Sequence, residues 1–527
     1  MSCLKGGNAG AGVALAGLLA LTACKQGPNF FSPAGPEEGA YTAPGDPIPP
    51  QDSKKAAQRI ALGAKVKDDW WALFHSPLLE KVMRQALTDS PTIAQATATL
   101  AQARQLIIAA AGAGLPQVDL AAELGRQATN VQTNGTNRTA IPVNVFGVGP
   151  TVSYTLDVFG AIQRNVEAQA ALADVSNYQL AAAYLALSGN IATQAITIAG
   201  LRAQIKTVEG ILADDERNLK LVKTAQEGGT ATMVDVTTAQ TQLANDRTLL
   251  PPLRQQLSVA RDALTVYAGR IPADWSAPDF DLASLTLPRI VPVSLPSALV
   301  RQRPDILAAE AQLHVNAALV GVATANLYPK FTLTAGFAQQ ATELGNFFSG
   351  IYSGWSVLGG MAAPIFHGGT LTAQQRAAKD AFDASWAAYR QTVIVAFGQV
   401  ADQLQALAHD DEAVKSQTAA VASAAQALKL ARLSYQAGNS TLLQLLDPER
   451  QMQQARLGLV RAETQRLLDT AQLMVALGSG WWNAPPAEPG AQPDVHDLRP
   501  GSPISTPAPP ETVPPDSGPF WQRWFNS

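Results

Sequence analysis

The sequence predicts a mixed, mainly α fold built twice from one plan: helix, two strands, very long helix, glycine turn, returning helix. Three observations carry this expectation. Two prolines stand 25 residues apart in each half, Pro91 and Pro116, then Pro304 and Pro329. Alternating, strand-like runs follow each second proline. Long proline-free stretches come next, each broken once by glycine.

The first residues read as a targeting signal. Lys5 opens it, and Ala11 to Ala20 is an apolar run too short to span a bilayer as a helix. Leu21-Thr22-Ala23-Cys24 then resembles a lipobox, the cleavage motif of bacterial lipoproteins. Cleavage there leaves Cys24 as a lipidated N-terminus, anchored because each buried CH₂ contributes about 0.8 kcal/mol. Lys25 and Gln26 follow the cysteine. The lipoprotein rule this resembles reads the absence of Asp there as an outer-membrane address. An ordinary signal peptide with a chance cysteine is the alternative. Cys3 is the only other cysteine, so the mature chain has no disulfide.

The expected organisation is a signal peptide at 1–23 and an N-terminal linker at 24–69. Repeat 1 spans 70–285, repeat 2 spans 286–482, and a Pro-rich tail covers 483–527. The linker carries Pro44, Pro47, Pro49 and Pro50. In repeat 1, Ser90-Pro91 opens an Ala-rich helix that Pro116 stops. In repeat 2, Arg303-Pro304 and Pro329 do the same.

Strands follow. Val118, Leu120, Ala122 and Leu124 interleave with Asp119, Ala121 and Glu123, and Phe331, Leu333, Ala335 and Phe337 with Thr332, Thr334 and Gly336. Further runs carry Phe146, Val148, Val152, Tyr154 and Leu156, and Trp355, Val357 and Met361. One apolar face opposite a small or polar one is the pattern of a membrane barrel strand. Two hairpins close no barrel, so this reading requires oligomerisation. A pair of soluble hairpins is the alternative.

Residues 163 to 226 as one helix span about 96 Å. Ala378, Phe382, Ser385, Tyr389, Val393, Ala396, Val400, Leu404 and Leu407 recur at spacings of four and three, a coiled-coil seam. Glycine turns interrupt the helices at Gly228-Gly229 and at Gly438. Pro251-Pro252 is expected to break the first returning helix.

The order of elements, the duplication, and the segments Arg303-Pro304-Asp305-Ile306 and Pro364-Ile365-Phe366-His367-Gly368-Gly369 resemble the TolC/OprM outer-membrane efflux factors. With the lipobox, the resemblance is to their NodT-like lipoprotein branch. It covers roughly residues 68 to 480. It implies a homotrimer with a 12-stranded transmembrane β-barrel, four strands per protomer, continuous with a long α-helical periplasmic tunnel. It also implies a periplasmic adaptor protein and an inner-membrane pump of the resistance-nodulation-division type as partners, besides outer-membrane lipid. The cargo is then drugs and other small toxic molecules. No cofactor follows from it.

The resemblance also implies a gate at the periplasmic end. Leu443 matches an apolar constriction, and Asp447 a gate aspartate. Gln444 stands where some members have another acid. Tyr435 and Asp235 match latch residues. Pro448 departs from the usual alanine. The bland alternatives are Asp447 as a helix cap, Leu443 as a seam residue and Asp235 as a solvated helix residue.

Other functions weigh less. The same channel serving type I protein secretion or metal efflux is one alternative, although no Cys/His cluster marks a metal route. A lipid-anchored coiled-coil scaffold explains the helices but not the strands. The net charge of -4 gives no basic excess for nucleic acid. His75, His314, His367, His409 and His496 are scattered, and no phosphate loop, nucleophile elbow or zinc spacing accompanies them.

Overall fold

The computed structural model describes residues 26–35, 39–49, 58–64, 66–67, 69–128, 132–133, 136–137 and 142–478. Cys24 and the tail at 483–527 lie outside the described residues. In chain order the elements are β1 (Arg59–Leu62), α1 (Pro77–Asp89), α2 (Pro91–Gly112), β2 (Gln117–Gln127), β3 (Gln132–Thr133), β4 (Thr136–Asn137) and β5 (Val143–Leu156). Then come α3 (Ala161–Glu227), α4 (Met233–Arg247), α5 (Leu250–Tyr267), β6 (Ile290–Val293), α6 (Pro296–Leu299) and α7 (Pro304–Ala325). The chain continues through β7 (Lys330–Ala341), β8 (Ser353–Ala362), α8 (Thr370–Gln436) and α9 (Leu442–Ala476).

Four of the strands form one antiparallel sheet in the order β2-β5-β7-β8, while β1 pairs with β6 and β3 with β4. Its register sorts the side chains into two faces. Val118, Val152, Ala335 and Val357 line up across the four strands. The next row is Asp119, Thr151, Gly336 and Ser356. Apolar rows thus alternate with polar or small ones, as the period-two pattern predicts. Yet Val118, Leu120, Leu124, Trp355 and Met361 are 66–80% exposed within the chain. An apolar face this open needs a solvent other than water.

Pro150 stands inside β5, a central strand, where it can donate no ladder hydrogen bond. Beside it, Gly149 approaches β7 so closely that an added Cβ would lie 1.9 Å from the Phe337 carbonyl oxygen.

The two long helices are equal, at 67 residues each. Each spans about 100 Å at 1.5 Å per residue. Both start after a glycine with positive φ, Gly160 at 76° and Gly369 at 82°. The predicted seam on α8 is real: Tyr389, Ala396, Val400, Leu404 and Leu407 are buried. The first returning helix breaks after Arg247, and α5 restarts with proline in its first turn, where a missing N–H costs nothing. The core gathers around the middle of α3, where Ile191, Ala192, Ala195, Ile196, Ile198 and Ala199 are fully buried. Gly200 lets α9 approach there; a Cβ on it would sit 2.3 Å from Thr464.

α7 is long and apolar enough to cross a membrane, but half of that stretch is buried. It packs against α3 and α8.

The region expected as an extended linker is partly built into the body. Its β1 pairs in parallel with β6, near the start of the second repeat. Gln58 bonds Thr470 and Arg466 on α9. Arg164, 1% exposed, clamps the chain further upstream. Its guanidinium donates to Gln26 O at 2.9 Å, Gly27 O at 3.1 Å, Asn29 Oδ1 at 3.0 Å and Glu167 Oε2 at 2.9 Å. A buried guanidinium needs such partners, and the backbone carbonyls of the segment supply them.

Replacing Gly149 with valine should cost roughly 3 kcal/mol or more by overpacking. Gly125→Val on β2, with nothing within 4 Å of its Cβ, is the matched control. Thermal unfolding followed by circular dichroism should show a large loss only for the first.

Candidate functional site

The candidate site lies where the hairpins turn. The two turns have nearly the same backbone. Gly229 has φ 73° and Gly438 has φ 74°, a left-handed conformation that favours glycine. In each, an amide reaches back to the end of the long helix: Thr230 N to Ala225 O at 2.8 Å, and Asn439 N to Ser434 O at 2.9 Å. Gly228 has an ordinary φ of -80°, and its counterpart is Ala437 at -78°. Gly228 is therefore not a backbone requirement, whereas Gly229 and Gly438 are.

The returning helices also start alike. In the first, the Thr232 hydroxyl accepts from Asp235 N at 3.2 Å, and Asp235 Oδ2 accepts from Thr232 N at 2.8 Å. This reciprocal pair is a capping box. The backbone and then the hydroxyl hydrogen bonds of Thr232 hold the Asp235 carboxyl below the usual carboxylate range. In the second, Gln444 Oε1 accepts from Thr441 N at 2.9 Å. Asp235 and Gln444 thus hold corresponding places as caps. Each is committed to its own chain.

Asp447 does not cap a helix, because α9 begins at Leu442 with Thr441 as its N-cap. The helix continues through Pro448, which offers no N–H to the Gln444 carbonyl and leaves a weak place in the second turn. The Asp447 carboxylate is half exposed and accepts from Arg450 at 2.6 Å and Gln451 at 2.7 Å. The expected acidic position therefore carries its own cation. Residues three and four apart meet on a helix, so the sequence spacing itself allows this pairing.

Leu443 falls in the first turn of α9, and its side chain lies outside the described residues. Tyr435 packs against an apolar cluster that joins the two tips: Val222, Val236, Ala239, Leu428, Leu445 and Met452. That cluster fixes the turns relative to each other within one chain. Among the described residues no group of three or more His, Cys, Asp or Glu side chains is arranged so that it could hold a metal ion.

Sequence reasoning also missed Asp215, Asp246 and Glu449, which meet where α3, α4 and α9 pack. They are far apart in sequence, so no local motif marks them.

The outer membrane efflux protein family matches residues 82–270 and 295–479. The pyoverdine export outer membrane protein OpmQ of Pseudomonas aeruginosa is 30% identical over 443 residues, covering 82% of this chain and 93% of that one. The outer membrane protein OprJ of the same organism is 28% identical over 471 residues, covering 88% and 95%. In fold, the chain superposes on the outer-membrane channel OprN with a TM-score of 0.77 at 24% identity, covering 87% of this chain and all of that one. It superposes on VceC of Vibrio cholerae with a TM-score of 0.72 at 24% identity, covering 79% of this chain and all of that one. The chain belongs to the outer membrane efflux protein family and is an efflux-channel component of the outer membrane that extends into the periplasm.

Proposed function

We propose that three copies of this chain close into a 12-stranded barrel and a helical tunnel, giving drugs and small toxic molecules a passive exit. The observation that carries this is the open sheet. β2 and β8 are its edges, and each has a free row of backbone donors and acceptors. A bilayer supplies no water to satisfy them, so a lone sheet of this kind cannot stay there. Pairing β2 of one copy with β8 of the next removes every edge.

The helices support the same closure. α7 and α2 are counterparts of 22 residues each. α7 packs on both α3 and α8 and buries eleven residues. α2 packs on α3, and only Ile93 and Leu100 are buried. Elsewhere on the helix Leu106 is 48% and Ile108 43% exposed. α8 shows Ile394 at 61% and Val395 at 45%. The α7–α3 packing between the repeats, inside the chain, is the template for α2 meeting α8 of a neighbour. The repeated plan, with its matched prolines, long helices and tip turns, is read as an internal duplication.

No bond is made or broken in this reading. The duct lowers the barrier by offering water and polar wall groups along the whole path, while an inner-membrane pump of the resistance-nodulation-division type supplies the energy through a periplasmic adaptor. Relatives are named for antibiotic, toluene and pyoverdine export. That range supports small organic cargo. Cys24 carries the lipid anchor.

The gate is assigned to the start of α9. Threefold symmetry makes rings of Leu443, Gln444 and Asp447 there, with Tyr435 and Asp235 beside them as latch candidates. Each Asp447 stands next to Arg450, so the ring is nearly balanced in charge rather than purely acidic.

Two outcomes are expected. Leu106→Asp with Ile108→Asp should shift the detergent-solubilised protein from trimer to monomer by native mass spectrometry; an intact trimer would reject the α2 interface. Asp447→Ala should leave Arg450 unpaired and weaken cation preference in single-channel reversal potentials. Unchanged selectivity and conductance would remove Asp447 from the gate.

A further inference from the structure

Two pairs of carboxyl groups lie inside the helical hairpins, away from the tip turns. Asp215 is on α3, roughly 18 Å before its end at Glu227. It is 5% exposed. One of its oxygens accepts from Gln453 Nε2 on α9 at 3.3 Å. The other is buried without a donor. Beside Asp215 stands the Asp246 carboxyl of α4, within hydrogen-bonding reach. Asp246 in turn accepts from Gln242 Nε2 at 2.7 Å. Two carboxyl groups hydrogen-bond only when one carries a proton.

The surrounding charges do not replace that proton. Glu449 of α9, also 5% exposed, adds a third acid. Arg432 of α8 bonds Glu449, at 3.2 Å. Asp214 is paired with Arg217 on its own helix.

The other hairpin repeats the arrangement higher up. Asp410 on α8 lies roughly 39 Å before the end at Gln436. It faces Asp469 of α9, which is 7% exposed. One Asp410 oxygen is buried without a donor. Asp469 accepts from Gln465 Nε2 at 3.0 Å. The nearby cations are engaged: Arg466 with Asp411 at 3.0 Å and with Gln58, and Lys415 with Asp411.

We propose that these pairs are proton-dependent clasps, each joining the two arms of one hairpin, so that acid holds the periplasmic end shut and higher pH loosens it. Burial, and then the partner carboxyl, pushes Asp215 and Asp410 up to about 7. Parted and hydrated, each returns to the ordinary range near 4. The clasped state therefore binds more protons than the loosened one. Its advantage is complete below pH 4 and fades as pH rises through 7. Each pair shifts the balance about tenfold between pH 6 and pH 8. The effect of this on conduction rests on the channel reading above.

The test uses the full-length protein in planar bilayers. Open probability should rise about tenfold or more from pH 6 to pH 8. D215N and D410N should each weaken that rise. The double variant, whose amides donate at every pH, should stay at the closed level throughout. A double variant with the unaltered pH response would overturn the clasps. Infrared titration of the same preparations separates the two proposals. A protonated-carboxyl band lost near pH 7, and missing from the double variant, is expected even if nothing conducts. Absence of that band overturns the clasps, while a band without any conductance overturns the channel.

Discussion

A backbone amide or carbonyl left unpaired in hydrocarbon costs several kcal/mol, and everything distinctive about this chain answers that constraint. Its four strands make a sheet that is apolar along one face and open at both edges. Such a sheet is unsuited to water by its face and to lipid by its edges. Closure with further copies resolves both problems at once. The long helices then follow from the strands, since each starts at a left-handed glycine that turns the chain sharply out of the sheet.

The same logic separates the two repeats. Among the described residues the α7 helix packs on α3 and α8, while its counterpart α2 packs mainly on α3. In the proposed assembly the chain is a segment of a ring cut between α8 and α2. The cut also explains why Ile365 and Phe366 are nearly fully exposed after β8, whereas Phe159 after β5 stacks on Tyr328 at 4.7 Å. The proposed closure would pack this exposed corner against a neighbour, as its mate is packed inside the chain.

Much of this was legible in the sequence because it is local. Prolines at first helical positions, period-two strands and glycine turns each act within a few residues, and all of them stand where the pattern put them. The α8 seam was legible for the same reason. The body's hold on the N-terminal segment was not, because it depends on Arg164 finding carbonyls more than 130 residues away. The tip residues were half legible. Their positions followed from the resemblance, but the commitments of Gln444 to Thr441 and of Asp447 to Arg450 depend on where the helix starts. The carboxyl pairs were illegible, since Asp215 and Asp246, and Asp410 and Asp469, stand on different helices and only packing brings them together.

Closure of the sheet between copies is the central claim, and strand-edge cross-linking tests it most directly. A cysteine at Leu124 on β2, paired in turn with single cysteines along β8, should form disulfides between chains at one register. The products should stop at three linked chains. No cross-link at any β8 position, or a ladder running past three, would contradict the account.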